Sequence, residues 1–112
     1  MFKLLFKRKN IKKISQREAK GLISSDKKIV LLDVRTPEEY HEVHIPHSIS
    51  LPLDTLKAKA SKIVPDKDTE IITYCLSGIR AAKACRELSS MGYINVRNMG
   101  GLNKWKYETE RG

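Results

Sequence analysis

Two short stretches of the chain are nearly continuous in apolar residues. Ile29-Val30-Leu31-Leu32-Asp33-Val34 and Ile71-Ile72-Thr73-Tyr74 have strand length, and their lack of alternation suits strands covered on both faces. Elsewhere the apolar positions recur at helical spacing: Ala19, Leu22 and Ile23, then Leu56, Ala58 and Ala60, then Ala81, Ala84, Cys85, Leu88 and Met91. The helix boundaries are marked chemically. Ser15 precedes Glu18 by three residues, a capping-box spacing, and Ser24-Ser25-Asp26 supplies turn formers at the other end. Thr36-Pro37-Glu38-Glu39 reads as a cap, a proline at the first helical position and a capping glutamate. Asp54 is placed to cap the next helix, and Gly92 to stop the one after it. Ile94-Asn95-Val96 reads as a last short strand, Gly100-Gly101 as a place of close backbone approach, and Leu102 and Trp105 as the opening of a terminal helix. Strands alternating with helices predict a three-layer α/β domain with a mostly parallel sheet.

Length and charge divide the chain. Its 112 residues suit one domain, and six of its 22 cations precede residue 14 while no acid does. The formal charge of +9 is therefore largely a property of a basic tail, 1–10, ahead of a globular domain, 11–112. The tail mixes Phe2, Leu4, Leu5 and Phe6 with cations, and its apolar part is shorter than a signal core or a membrane span. Weak contact with an anionic surface is the partner it suggests, set against a simple solvated terminus. Two cysteines make no disulfide framework and no metal pair, so free thiols in a reducing, cytoplasmic setting are expected.

Candidate chemistry lies at the end of the second apolar run. Tyr74-Cys75-Leu76-Ser77-Gly78-Ile79-Arg80-Ala81 reads as a strand end, a tight loop and a helix start. In open α/β sheets ligands bind at such carboxyl edges, and a loop of this kind points backbone N–H groups inward as an anion nest. Those dipoles and the Arg80 guanidinium are expected to favour the Cys75 thiolate, the reactive form. Gly78 allows the turn. The bland alternative is that Cys75 is only a small buried hydrophobe.

This stretch resembles the rhodanese family. The likeness extends to Asp33-Val34-Arg35-Thr36-Pro37-Glu38-Glu39-Tyr40, to the turn Val43-His44-Ile45-Pro46-His47 and to the Gly-Gly with a following tryptophan, spanning about Ile14 to Trp105. It implies a five-stranded sheet between helices, with Cys75 as the persulfide carrier and Leu76, Ser77, Gly78, Ile79 and Arg80 as the anion-binding loop. It also implies a supporting role for Asp33 and Arg35. A small sulfur-donor anion such as thiosulfate and a thiol, cyanide or protein acceptor are the implied partners, with no metal or organic cofactor. The family usually has glycine where Val43 and His47 stand. Four residues separate Cys75 from Arg80, one fewer than in the related phosphatases, whose wider ring takes phosphate. A phosphatase and a non-catalytic docking module are the competing functions. His41, His44 and His47 recur every three residues, but Pro46 breaks the helix that would align them on a metal. A histidine base for Cys75 stays open. Cys85 is expected to face the core, roughly 15 Å from Cys75 by helical rise.

Overall fold

A computed structural model describes residues 12–25 and 28–112; the basic tail and Asp26 lie outside them. Five strands, β1 (Lys12–Lys13), β2 (Ile29–Asp33), β3 (Ile49–Ser50), β4 (Glu70–Cys75) and β5 (Val96–Gly101), form one sheet. Its order is β1-β5-β4-β2-β3, and every pairing is parallel. Four helices connect them: α1 (Gln16–Ser24), α2 (Pro37–Glu42), α3 (Leu56–Ile63) and α4 (Ile79–Ser90). The expected three-layer α/β architecture is present. No helix among the described residues is long and apolar enough to cross a membrane.

The central strand β4 shows why the apolar run had to be continuous. Ile71 and Cys75 pack toward Leu56, Ala81, Ala84, Cys85 and Leu88 of α3 and α4. Ile72 and Tyr74 pack the other way, against Ala19 of α1, Leu31, Ile45 and Met99. Both faces are dry, so successive residues all need to be apolar or internally bonded. Thr73 satisfies its hydroxyl by donating to the Ala81 carbonyl at 3.1 Å.

The caps form largely where the residues predict them. Ser15 Oγ accepts the Glu18 N–H at 3.0 Å. Thr36 and Glu39 complete a full capping box, with Pro37 in the first turn of α2. Gly92 takes φ +104° just past α4, the left-handed conformation that closes helices.

Three boundaries differ from expectation. Asp54 caps nothing; it lies inside a 3₁₀ turn, Leu53–Thr55, that follows Pro52, and α3 begins only at Leu56. The last strand starts at Val96 rather than Ile94, whose side chain is exposed, and it runs on through Gly101. Pairing with β4 decides this, because Ile71 aligns with Val96 and Cys75 with Gly101. No terminal helix forms at Trp105. A single 3₁₀ turn, Leu102–Lys104, ends there, and the indole packs on the α1 side while its Nε1 donates to the Glu108 carbonyl at 3.0 Å.

The turn after α2 is pinned from within. The buried Tyr74 hydroxyl accepts the Ile45 N–H at 3.0 Å and lies 3.1 Å from Ser48 Oγ. Burial pushes the phenol's pKa up. His44 is buried, stacked on Tyr40 with ring centroids 3.8 Å apart, and its Nδ1 lies 2.9 Å from the Tyr40 carbonyl. Its backbone forms an antiparallel bridge with Glu110.

The two positions where the family has glycine behave differently. Val43 has φ −162°, extended backbone that any residue adopts. His47 has φ +74° and is exposed, so it carries the left-handed conformation without compensating burial. His47→Gly is therefore expected to stabilise the fold by about 0.5–1 kcal/mol, net of glycine's greater freedom in the unfolded chain. Chemical denaturation with an unchanged slope and a higher midpoint is the readout; a lower midpoint contradicts it.

Candidate active site

Cys75 is the last residue of β4, and its side chain is only 1% exposed. The chain then turns over it. The Gly78 N–H points at Sγ from 3.0 Å and the Ala81 N–H from 3.4 Å. Gly78 reaches this arrangement at φ +104°, immediately before α4. Around the sulfur, the side chains of Leu76 and Ile79 stand out into solvent, 47% and 77% exposed. Ser77 is exposed as well. The loop thus has backbone donors at its floor and a mixed apolar rim.

Strand β5 forms the seat of this loop. A Cβ on Gly101 would lie 2.0 Å from the Leu76 carbonyl oxygen, and one on Gly78 would lie 3.2 Å from Gly100 Cα. The loop backbone occupies the space where a side chain would stand. Side chains then tie it down: Asn98 Nδ2 donates to the Gly78 carbonyl at 3.1 Å, while its Oδ1 accepts the Gly100 N–H at 2.8 Å. The Asn103 N–H donates to the Leu76 carbonyl at 3.1 Å. From α1, Gln16 Nε2 donates to the carbonyls of Met99 and Gly101 at 3.1 and 2.9 Å.

Arg80 lies in the first turn of α4 and reaches toward α2. Its Nη1 donates to Glu39 Oε1 at 2.8 Å and its Nη2 to Oε2 at 3.1 Å. The hydrogen bond from Arg80 holds the Glu39 carboxyl at about 2, against the opposing effect of partial burial and with help from the Thr36 N–H. The charged form of Arg80 is favoured chiefly by Glu39, with a smaller attraction from Cys75.

Asp33 and Arg35 occupy the carboxyl end of β2, beside β4. Arg35 Nε lies 3.0 Å from Oδ1 and Nη2 2.7 Å from Oδ2, and Nη2 also donates to the Val43 carbonyl. Both residues are buried. Burial alone pulls the guanidinium pKa down, but the hydrogen bond and charge of Asp33 more than offset it. This pair clamps the turn after α2 to the end of the sheet and makes no hydrogen bond to Cys75. A groove of about 610 Å³ beside Arg80 is lined by Val34, Pro52 and Leu53 together with the charged side chains of Lys57, Lys83, Glu38 and Asp54.

Cys85 is fully buried, with Sγ 3.2 Å from Thr73 Oγ1. Burial pushes its pKa up. The expected 15 Å separation from Cys75 is too long, because α4 already crosses the Cys75 sulfur at Ala81. Only four residues of helical rise, about 6 Å, separate Ala81 from Cys85. The loop's return over its own strand shortens the separation.

Glu39, Asn98 and Gln16 were not recognisable as site residues from their sequence positions. Glu39 shows a capping signature that accounts for it completely, and nothing nearby announces Arg80 as its partner. Asn98 acquires its role only through the β4–β5 register, and Gln16 only through the packing of α1 against β5.

The model of the rhodanese-like domain matches residues 15–108. Among curated proteins, the chain is 34% identical over 100 residues to the putative sulfurtransferase YtwF of Bacillus subtilis, covering 89% of this chain and 95% of that protein. It is 41% identical over 71 residues to the thiosulfate sulfurtransferase PspE of Escherichia coli, covering 63% and 68%. A solved E. coli rhodanese with anions superposes with a TM-score of 0.71 at 36% identity, covering 75% of this chain and 99% of that one.

Two outcomes follow from the geometry. Gly101→Ala must displace backbone rather than a flexible side-chain end, so it is expected to cost about 1–3 kcal/mol, the range of overpacking in a well-filled core. Melting of the variant beside Gly21→Ala, where a Cβ meets nothing within 4 Å, is the measurement. The depressed Glu39 carboxyl stabilises the folded state fully above its ordinary 4.5, and that contribution is lost as pH falls toward about 2. Glu39→Gln should therefore show a shallower loss of stability across that acid window than the native chain.

Proposed function

The chain belongs to the rhodanese-like domain family, and on that premise we propose that it moves sulfane sulfur from an anionic donor to a thiophilic acceptor through a persulfide on Cys75. Its relatives include proteins named thiosulfate sulfurtransferase and thiosulfate:glutathione sulfurtransferase, so sulfur transfer is the activity class. Thiosulfate as donor and a small thiol as acceptor are the finer reading. One observation carries it: the Cys75 sulfur lies beneath a solvent-facing loop with two backbone N–H groups aimed at it.

The Cys75 thiolate attacks the outer sulfur of thiosulfate. A sulfur–sulfur bond forms to Cys75 while the bond to the sulfonate sulfur breaks, and sulfite leaves with that electron pair. The outer sulfur of the resulting Cys75 persulfide carries the negative charge. N–H dipoles already fixed around the site stabilise that charge without reorganising, and the Arg80 guanidinium orients the donor's oxygens. An acceptor nucleophile, such as cyanide or a thiolate, then attacks the outer sulfur and the Cys75 thiolate is regenerated, a two-step exchange. The groove beside Arg80, lined by both cations and acids, is the surface that suits an acceptor of mixed charge.

Intact-mass measurement after thiosulfate treatment is expected to show one added sulfur on the native chain, removed by cyanide. Cys75→Ser should take up none and should lose turnover by at least about a thousandfold, the scale on which removing a nucleophile acts. Cys85→Ser is expected to retain turnover and lose about 1–3 kcal/mol of stability, since it buries a hydroxyl beside Thr73. A native protein that gains no sulfur, or a Cys75→Ser protein that turns over, overturns the reading.

A further inference from the structure

The cation nearest the Cys75 loop is already occupied. Glu39 takes both Nη atoms of Arg80 in a two-oxygen fork, from a position 41 residues upstream and on a different helix. The carboxylate is itself fixed. Its Oε1 accepts the Thr36 N–H at 2.9 Å, Thr36 Oγ1 accepts the Glu39 N–H at 3.2 Å, and Pro37 restrains the same turn. Arg35, the other guanidinium at this end of the sheet, is likewise bound to Asp33. For all the chain's basicity, neither arginine offers an unbalanced positive charge.

A guanidinium has five N–H donors, so the fork to Glu39 leaves the Nε donor and one on each Nη for a second anion. That anion would share a single cation with a carboxylate a few ångströms away. Its oxygens gain hydrogen bonds, but a second negative charge on the ligand gains no net Coulomb attraction from the pair. The backbone N–H groups at Sγ provide direction without the reach of a full charge.

We propose that Glu39 is a positioning residue that fixes Arg80 and cancels its charge, so that the Cys75 loop discriminates against dianionic donors in favour of singly charged ones. As it concerns sulfur donors, this inference rests on the sulfurtransferase reading; as it concerns anion binding, it does not. The low pKa of Glu39 is consistent with a carboxylate that stays charged throughout the working range.

The test compares thiosulfate, a dianion, with methanethiosulfonate, a monoanion that delivers the same sulfur and releases methanesulfinate. Glu39→Gln keeps an acceptor for the capping box and removes the charge. It is expected to lower KM for thiosulfate by about two- to fivefold, the scale of one partly exposed charge interaction, and KM for methanethiosulfonate by less than about twofold. The change in kcat for either donor should be smaller than the change in KM for thiosulfate, and raised salt should shrink the difference. Glu39→Ala, which removes the charge by a different route, should shift selectivity the same way. Glu39→Asp, which keeps the charge, should stay near the native ratio. Calorimetric titration with sulfate, which donates no sulfur, should show affinity rising in the Gln and Ala variants.

Folded Gln and Ala variants with native donor selectivity and native sulfate affinity overturn the inference, as does weaker thiosulfate binding. If sulfate binding tightens but neither donor yields a persulfide in any protein, the inference stands and the sulfurtransferase reading falls. Intact sulfur transfer with no change in charge selectivity does the opposite.

Discussion

Gly101 has no side chain, and the backbone of the Cys75 loop lies where one would project. That contact is the condition on which the rest of the site depends. Because the loop can settle onto β5, its chain returns over the end of β4 and brings the N–H groups of Gly78 and Ala81 onto the Cys75 sulfur. Because it lies there, Asn98 can reach the Gly78 carbonyl and α4 can start in the right place to bury Ala81, Ala84, Cys85 and Leu88. Close-packed interiors have no spare volume to accommodate an added Cβ at such a contact. A backbone approach of this kind therefore fixes the geometry of the loop more tightly than any single hydrogen bond in it.

Two ion pairs flank the site, and they do different work. Asp33–Arg35 is buried, makes a two-oxygen contact and also reaches the Val43 carbonyl, so it joins the end of β2 to the turn after α2. Removing one partner would strand a charge in the interior, a large penalty even where the intact pair adds little net stability. Glu39–Arg80 is partly exposed and contributes modestly to stability. Its importance lies in the charge that it presents to whatever enters the loop. The same short segment, from Asp33 to Glu39, supplies both acids, so in a chain with a charge of +9 the two arginines beside the Cys75 loop are each paired.

Much of the fold was legible in the sequence. The two apolar runs became the adjacent central strands, because a strand dry on both faces has to be apolar at nearly every position. The capping residues of α1 and α2 and the glycine after α4 act locally, so their roles are readable within a few residues. Cys75, Gly78 and Arg80 stood out for the same reason: strand end, turn and helix start follow one another without interruption, and the rhodanese-like pattern spans them. Two errors fell where a long-range partner outvoted a local preference: β5 was extended to Gly101 by pairing with β4, and the segment at Trp105 packed on the α1 side without forming a helix. At Asp54 the competitor was a neighbour, the 3₁₀ turn that follows Pro52.

Folding alone settles which distant groups meet. Asn98 holds the loop because parallel pairing aligns β5 with β4, Gln16 bonds β5 because α1 packs on it, and Glu39 grips Arg80 because α2 and α4 end up at the same edge of the sheet. None of these contacts leaves a local trace, since a side chain that already satisfies a cap or lies in a strand gives no sign of a second partner. Most of the elements and the spacing from Cys75 to Arg80 are properties of contiguous residues and can be read along the chain. The seat of the loop, the charge at its mouth and the nearness of Cys85 to the active strand arise only from folding, because each depends on how far the chain returns upon itself.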